Sequence, residues 1–291
     1  MERSVTEGTW RGREAVWREW RNFCSGLGVD GLHGDLVPAL LCFVGIAFEE
    51  GVSAAGLVKK LAGLAYWFKW FGVGDATKDF VVRQAVIGYR KSRVARDGRR
   101  PVSFDLLVKL FGVLGDMCSS EYEAVLFGAA FALAFFGAFR VGELVSHSCA
   151  ASGGLQFGDV VLGIDCVSCF LRRSKTDQAG RGKRIMLYAV PGSVACPVRC
   201  VQRFLAVRPD LPDGSFLIHR DGRSLSRFQF IAVFRGGLDR LGFPAREFAS
   251  HSFRIGAATE AVRWGLGEQM VRQIGRWESE RFRSYVRLEL L

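Results

Sequence analysis

The chain has 291 residues, of which 49% are apolar, and it carries a net charge of +11. This length suits one large domain or two of ordinary size, and the apolar content argues against a wholly disordered chain. Arginine supplies 32 of the 40 basic side chains. That preference favours forked contacts to phosphate, although a basic surface alone fits a scattered solvent-facing charge equally well.

The first 95 residues place apolar side chains at helical spacing in four stretches. The pattern predicts helices at 9–24, 38–49, 53–71 and 77–93, the third capped by Ser53. No apolar stretch of signal-peptide type follows Met1. We therefore expect residues 1–95 to form a small helical bundle.

A basic segment follows the predicted bundle and ends at Pro101. Its Gly-containing, charged composition predicts a linker at 96–102. The segment and the helix end before it contribute six candidate DNA-binding residues, namely Arg90, Lys91, Arg93, Arg96, Arg99 and Arg100. Composition alone is compatible with a strap across a DNA backbone and with a solvated linker.

Residues 103–291 begin with predicted helices at 103–118 and 121–138. The second contains an uncharged apolar run, Ala124 to Phe139, which is too short for a membrane span and is better explained as a buried core helix. Three short strands are then predicted at 159–164, 166–173 and 184–190. Further helices are predicted at 197–207, 226–241, 251–264, 267–274 and 279–289. A mostly helical chain with one small antiparallel sheet is an α+β protein.

The chain contains eight cysteines, and we expect reduced thiols rather than a disulfide framework. The spacings Cys166/Cys169 and Cys196/Cys200 invite a zinc site. However, residues three apart on a strand point to opposite faces, which argues against a metal shared by Cys166 and Cys169. We expect no metal and no cofactor.

The candidate chemistry lies in a set of cationic side chains that precede a tyrosine near the end of the sequence. Arg140 and Arg254 are suited to hold phosphate oxygens, and His251, three residues before Arg254, is suited to move a proton. Trp277 offers an indole N–H, and the Tyr285 phenol is a candidate nucleophile that needs help to attack at neutral pH. Each residue alone also has a structural explanation, for example Arg140 as a buried arginine paired with Glu143.

The order and wording of these motifs resemble the tyrosine recombinase (phage integrase) family. Segment 138–144 resembles the family's first arginine box, 174–177 its lysine hairpin and 251–259 its second box, while 275–279 and 284–287 resemble the end of its catalytic domain. Cys196-Pro-Val, Leu205–Pro209 and His219–Gly222 are most similar to the eukaryotic DIRS and Crypton transposon branch. Residues 1–95 resemble its SAM-like core-binding domain, so 103–291 would be the catalytic domain.

This resemblance implies a role for each matching residue. Arg140 and Arg254 would bind the scissile phosphate, Lys175 would protonate the leaving 5′ oxygen, and His251 would assist proton transfer. Trp277 would occupy a position often held by histidine, and Tyr285 would be the nucleophile. Glu143, which follows Arg140 by three residues, is expected to orient Arg140 or His251.

The resulting functional prediction is a site-specific recombinase that cuts and rejoins double-stranded DNA through a 3′-phosphotyrosyl intermediate during integration or excision of a mobile element. It would assemble on DNA, as a tetramer by resemblance, and would act in the nucleus if the source is eukaryotic and in the cytoplasm otherwise. The alternatives are a type IB topoisomerase-like activity and a domesticated DNA-binding protein that no longer recombines.

Overall fold

The computed structural model describes residues 5–92, 98–172 and 182–290. Within them the chain divides into two compact units, 1–97 and 98–291. Each unit has its own hydrophobic core.

The first unit is a four-helix bundle. Its helices are α1 (Glu7–Leu27), α2 (Val37–Glu49), α3 (Ala54–Trp70) and α4 (Phe80–Ser92), with a short 3₁₀ turn at Ala76–Lys78. Ser53 caps α3 as predicted, because its hydroxyl accepts a hydrogen bond from the Gly56 N–H at 3.0 Å. Trp20, Leu40, Leu64 and Phe68 are fully buried at the centre.

The second unit contains the remaining helices and the sheet. The helices are α5 (Phe104–Met117), α6 (Glu121–Phe136), the single-turn α7 (Val141–Leu144), α8 (Pro197–Val207), α9 (Arg227–Arg240), α10 (Ser252–Arg263) and α11 (Glu268–Gly275). Two 3₁₀ segments, Glu280–Tyr285 and Leu288–Leu290, follow α11. The predicted continuous helix at 279–289 was therefore wrong.

The sheet has three antiparallel strands in sequence order, β1 (Val160–Leu162), β2 (Cys166–Leu171) and β3 (Lys183–Tyr188). In β2, Cys169 is buried and pairs with Val160 on one side and Ile185 on the other. The mostly helical α+β class with a small antiparallel sheet is confirmed.

Helix α6 lies at the centre of the second core. It is apolar around its whole circumference, which is the pattern of a helix buried on all sides, and most of its residues are buried. Phe131 of α6 packs against Phe230 of α9 and Phe253 of α10, with ring centroids 5.1 and 5.5 Å apart. This aromatic contact fixes the start of α10 against α6. No helix in the described part of the chain is long and apolar enough to cross a membrane.

Candidate active site

Arg140 lies in a tight connection between α6 and α7. The connection contains Ala138, whose φ of 43° falls in the left-handed region that non-glycine residues rarely adopt. Arg140 precedes α7, and Glu143 in that helix turns back to it. The carboxylate accepts from the Arg140 N–H at 2.9 Å and from Nη1 at 2.7 Å. Glu143 thereby holds both the backbone and the guanidinium group of Arg140.

Arg254 lies in the first turn of α10 and is fully buried. Its Nη1 donates to the carbonyl of Ala138, and its Nη2 donates to the carbonyl of Gly275 at 2.9 Å. The Arg254 guanidinium therefore joins the turn before Arg140 to the end of α11. Its Nε is buried without a hydrogen-bond partner among the described residues.

Arg276 is a third arginine of the site, and sequence reasoning did not single it out. It ends α11 in the left-handed conformation, with φ 56° and ψ 46°. Its Nη1 donates to the Gly137 carbonyl at 2.7 Å, and its Nη2 donates to the Ala138 carbonyl at 3.0 Å and to Glu143 Oε2 at 2.9 Å. The only signal in the sequence was its place inside the Gly-Arg-Trp motif.

Trp277 and Tyr285 stand beside Arg254. Their ring centroids are 4.9 Å apart, and the Arg254 guanidinium carbon lies 5.0 Å from the Trp277 ring and 5.7 Å from the Tyr285 ring. A Cβ on Gly275 would lie 1.7 Å from a carbon of the Trp277 ring, so only glycine allows the indole to fold back at this point. The Trp277 Nε1 is buried and has no partner among the described residues.

His251 is the residue immediately before α10, rather than inside it as the predicted range 251–264 implied. Burial lowers the pKa of its imidazole below the usual value, and the positive charges of Arg99, Arg254, Arg140 and Arg227 lower it further. His251 is therefore held mainly neutral at pH 7. A neutral imidazole can accept a proton or donate one.

The charges of the site are unbalanced toward positive. Among the described residues, the Glu143 carboxylate pairs with the guanidinium groups of Arg140 and Arg276, and both of these arginines repel the nearby Arg254. Burial lowers the pKa of Arg254 and of Arg276, and repulsion from Arg140 acts in the same direction at both. A bound anion would relieve this repulsion, since an opposite charge nearby favours the charged form.

Several predicted residues lie elsewhere or outside the described ranges. Lys175, Arg93 and Arg96 fall outside them. Arg90 and Lys91 are exposed in the last turn of α4 in the first unit, and Arg99 and Arg100 belong to the second unit. Glu143 contacts Arg140 and Arg276, whereas no hydrogen bond joins it to His251 within the described residues.

The arrangement is suited to bind a tetrahedral anion next to a phenol. Burying an N–H without an acceptor costs about 1–3 kcal/mol, and Arg254 Nε, Arg276 Nε and Trp277 Nε1 are three such donors. A phosphate group has several oxygens that accept from such donors. In the described part of the chain, no group of three or more His, Cys, Asp or Glu side chains is arranged to hold a metal ion.

Known proteins resemble this chain in sequence and in fold. No family model matches the chain. An integrase/recombinase xerD homolog from Selenomonas ruminantium is 24% identical over 299 residues, covering 97% of this chain and 81% of the relative. This chain is therefore similar in sequence to an integrase/recombinase over nearly its whole length.

Solved structures share the fold over nearly the whole chain. A Tn1549 transposon integrase in complex with circular intermediate DNA superposes with a TM-score of 0.64 at 14% identity, covering 97% of this chain and 90% of that one. A lambda integrase dimer bound to a COC′ core site gives 0.65 at 15% identity, with 97% and 72% covered.

Proposed function

We propose that this chain is a site-specific tyrosine recombinase, an enzyme that cleaves and rejoins DNA strands through a covalent tyrosine intermediate. The observation that carries the proposal is the placement of Tyr285 against the buried Arg254 and Trp277, with Arg140 held nearby by Glu143. The sequence similarity to a xerD homolog and the fold shared with DNA-bound integrases support the same proposal.

The proposed reaction is an exchange of phosphoester bonds. The Tyr285 oxygen attacks the phosphorus, a bond from tyrosine to the 3′ phosphate forms, and the bond from phosphorus to the 5′ oxygen breaks. The phenol gives up one proton and the 5′ oxygen gains one. Because the energy of the broken bond is kept in the phosphotyrosyl link, a 5′ hydroxyl from another strand reverses the step and rejoins the DNA.

The cationic residues stabilise the charge that develops on the phosphate. Arg140 and Arg254 would contact the non-bridging oxygens, and the indole N–H of Trp277 would donate to one of them. His251, kept mainly neutral at pH 7 by burial and by its cationic neighbours, would exchange a proton with the phenol. Lys175 would protonate the leaving 5′ oxygen, as the family resemblance implies.

The two compact units would contact DNA from separate surfaces. Arg90 and Lys91 are exposed on the first unit, and Arg99 and Arg100 follow the boundary between units. We propose that residues 1–95 act as a DNA clamp, 96–102 as a basic linker and 103–291 as the catalytic domain. Strand exchange between two sites would require four protomers assembled on double-stranded DNA.

We further propose that the protein acts in the integration or excision of a mobile element. Integration or excision of a mobile element is supported by the transposon-type motifs at Cys196-Pro-Val, Leu205–Pro209 and His219–Gly222. A eukaryotic DIRS or Crypton-type source would place the protein in the nucleus. Terminal repeats flanking the coding region in the source genome would support this setting, and their absence would argue for a domesticated protein.

The test is capture of a covalent complex. The protein is incubated with a library of nicked duplexes containing a randomised core, and DNA that remains attached in denaturing detergent is sequenced. The proposal expects adducts on a limited set of sequences with the wild type and with Tyr188→Phe, a control at an exposed tyrosine on β3, and none with Tyr285→Phe. DNA binding without adducts would indicate a domesticated binder.

A two-site assay then separates recombinase from topoisomerase. Two duplexes that carry the selected sequence should exchange partners, and the reaction should depend on both copies. Relaxation of a supercoiled plasmid that lacks the selected sequence, without exchange between duplexes, would instead support a type IB topoisomerase-like activity.

A further inference from the structure

The backbone beside Tyr285 is hydrogen-bonded to a buried hydroxyl on α10. Thr259 is fully buried, and its Oγ1 lies 3.2 Å from the Tyr285 carbonyl and accepts from the Arg287 N–H at 3.1 Å. Thr259 lies five residues after Arg254 on the same helix. The segment that carries the phenol is thus held to the helix that carries a phosphate-binding arginine.

The side chain of Arg287 makes a second attachment. Arg287 is 8% exposed, and its Nη1 donates to the backbone carbonyl of Arg99. Arg99 is 188 residues away in the sequence and lies at the start of the second unit. Arg287 therefore joins the first residues of the unit to the segment that contains Tyr285.

The segment 99–102 is itself fixed firmly on the α10 region. The Arg100 N–H donates to the Glu247 carbonyl at 2.8 Å, and the Val102 N–H donates to the Ser252 carbonyl at 3.0 Å. A Cβ on Gly256 would lie 1.9 Å from the Val102 oxygen, so the two backbones meet at a point where only glycine fits. The carbonyl of Arg99 is a well-placed acceptor for this reason.

Two anchors consequently bracket the nucleophile. On one side, Phe282 is 2% exposed and packs in a small cluster with Ala258, Ala261 and Val271. On the other side stands Arg287. Between them Tyr285 ends a 3₁₀ segment, whose hydrogen bonds are weaker than those of an α-helix. The position of the phenol therefore depends on Phe282 and Arg287, because the backbone between them is only weakly stabilised by its own hydrogen bonds.

We propose that Arg287 is a positioning residue that fixes Tyr285 for attack by tying it to the Arg99 carbonyl. This inference rests on the proposed function. The charge of Arg99 also acts on the His251 imidazole. Arg99 therefore lies near the proposed proton-transfer group, and its backbone carbonyl accepts the hydrogen bond from Arg287. Contact of Arg99 or Arg100 with a DNA backbone would thereby also set the position of the nucleophile.

The first experiment separates positioning from binding and from proton transfer. Arg287→Ala is compared with Arg283→Ala, which removes the same charge from an exposed side chain in the Tyr285 segment. We expect Arg287→Ala to slow adduct formation on saturating DNA by about tenfold or more, since small misplacements of reacting groups are costly, with DNA affinity within about twofold of the wild type. Arg287→Lys should restore part of the rate.

A substrate with sulfur in place of the bridging 5′ oxygen adds a second readout. The sulfur leaves without needing a proton, so a variant impaired in the general acid, such as Lys175→Ala, should regain its rate on this substrate. Arg287→Ala should remain slow, because the defect lies in the placement of the attacking oxygen. Recovery of Arg287→Ala on the sulfur substrate would overturn the proposal.

The second experiment does not depend on activity. The chain contains five tyrosines, so protein labelled with 3-fluorotyrosine gives a small fluorine spectrum in which Tyr285→Phe identifies the Tyr285 signal. Arg287→Ala and Thr259→Val should shift or broaden that signal and leave the other four unchanged. Movement of all five signals would mean general unfolding and would overturn a specific positioning role, as would an unchanged Tyr285 signal.

The outcomes distinguish this inference from the function on which it rests. A wild-type protein that forms no adduct on any library sequence contradicts the proposed function. A wild-type protein that forms adducts at the same rate as Arg287→Ala leaves the proposed function standing and contradicts the positioning role alone.

Discussion

Replacement of Glu143 by alanine should destabilise the second unit strongly. The carboxylate accepts three hydrogen bonds, two from Arg140 and one from Arg276, at 2.7 to 2.9 Å. The side chains of Glu143 and Arg276 are only 7% and 5% exposed, so solvent does little to screen the charges left behind. Removing one partner of a buried ion pair costs about 3–5 kcal/mol.

The glutamine variant refines this magnitude. An amide has one acceptor oxygen, so Glu143→Gln can retain the two bonds to Oε2 but presents an NH₂ group to Arg140 Nη1 or forfeits that contact. Hydrogen bonds to charged groups contribute about 1.5–3 kcal/mol each. We therefore expect Glu143→Gln to lose roughly one such contribution and to be less damaged than Glu143→Ala.

The assay must report on the second unit separately. Five of the seven tryptophans lie in the first unit, so fluorescence would mix the two transitions. Hydrogen exchange in increasing urea, read by mass spectrometry on peptides from 98–172 and 182–290, resolves the second unit. Glu268→Ala serves as the control because Glu268 is 64% exposed in its pair with Arg283, and exposed pairs contribute about 0–1 kcal/mol.

One result would refute this reasoning. If Glu143→Ala lowers the free energy of unfolding of the second unit by no more than Glu268→Ala does, the buried carboxylate is not what holds Arg140 and Arg276 in place. The bonds from Arg276 to the carbonyls of Gly137 and Ala138 would then be sufficient to hold this part of the unit.

Three further outcomes are expected. The folded state binds a proton at His251 less tightly than the unfolded state does, because folding lowers the pKa of this imidazole. Acid therefore favours unfolding below about pH 6.5, by at most about 1.4 kcal/mol per pH unit. In urea titrations across pH 5–8, His251→Gln should lack this part of the acid sensitivity of the wild type. Gly256→Ala places a Cβ 1.9 Å from the Val102 oxygen and should lower the free energy of unfolding by about 1–3 kcal/mol. The control Gly112→Ala has open space around the new Cβ and should not destabilise the protein. Equal unfolding midpoints for the two variants would contradict the close approach of Gly256 to Val102. Adduct formation should persist in EDTA, because guanidinium groups rather than metal ions stabilise the phosphate in this account, and loss of adducts that magnesium restores would contradict it.

The sequence predicted the fold class because its signals are local. Helical periodicity and the Ser53 cap are encoded in neighbouring residues, and they located nearly every long helix to within a few residues. The failures lie where local signals are weak. The stretch 279–289 looked helical, but it folds as two 3₁₀ segments, the first of which packs against α10 and α11.

The candidate site could be predicted only in part. Arg140, Arg254, Trp277 and Tyr285 were singled out from motif order. In the structure Arg254 lies against Trp277 and Tyr285, and Arg140 is close enough for its charge to act on Arg254. The role of Arg276 could not be predicted from the sequence, because its guanidinium group binds the backbone carbonyls of Gly137 and Ala138. These carbonyls are exposed to it by a turn in which Ala138 has a positive φ.

The attachment of Arg287 to Arg99 was also beyond sequence reasoning. The two residues are 188 positions apart, and the acceptor is a backbone carbonyl that carries no side-chain signature. Contacts of this kind become visible only when the fold has placed both segments on α10.

The most direct test of the central claim is to identify the residue that becomes joined to DNA. The covalent complex is digested with nuclease and trypsin, and cleavage after Arg283 and Arg287 releases residues 284–287, which contain Tyr285 as their only tyrosine. We expect this peptide to gain the mass of a nucleotide phosphate in the wild type, and we expect no modified peptide from Tyr285→Phe. Attachment at any other residue, or DNA cleavage that leaves no protein-linked nucleotide, would contradict it.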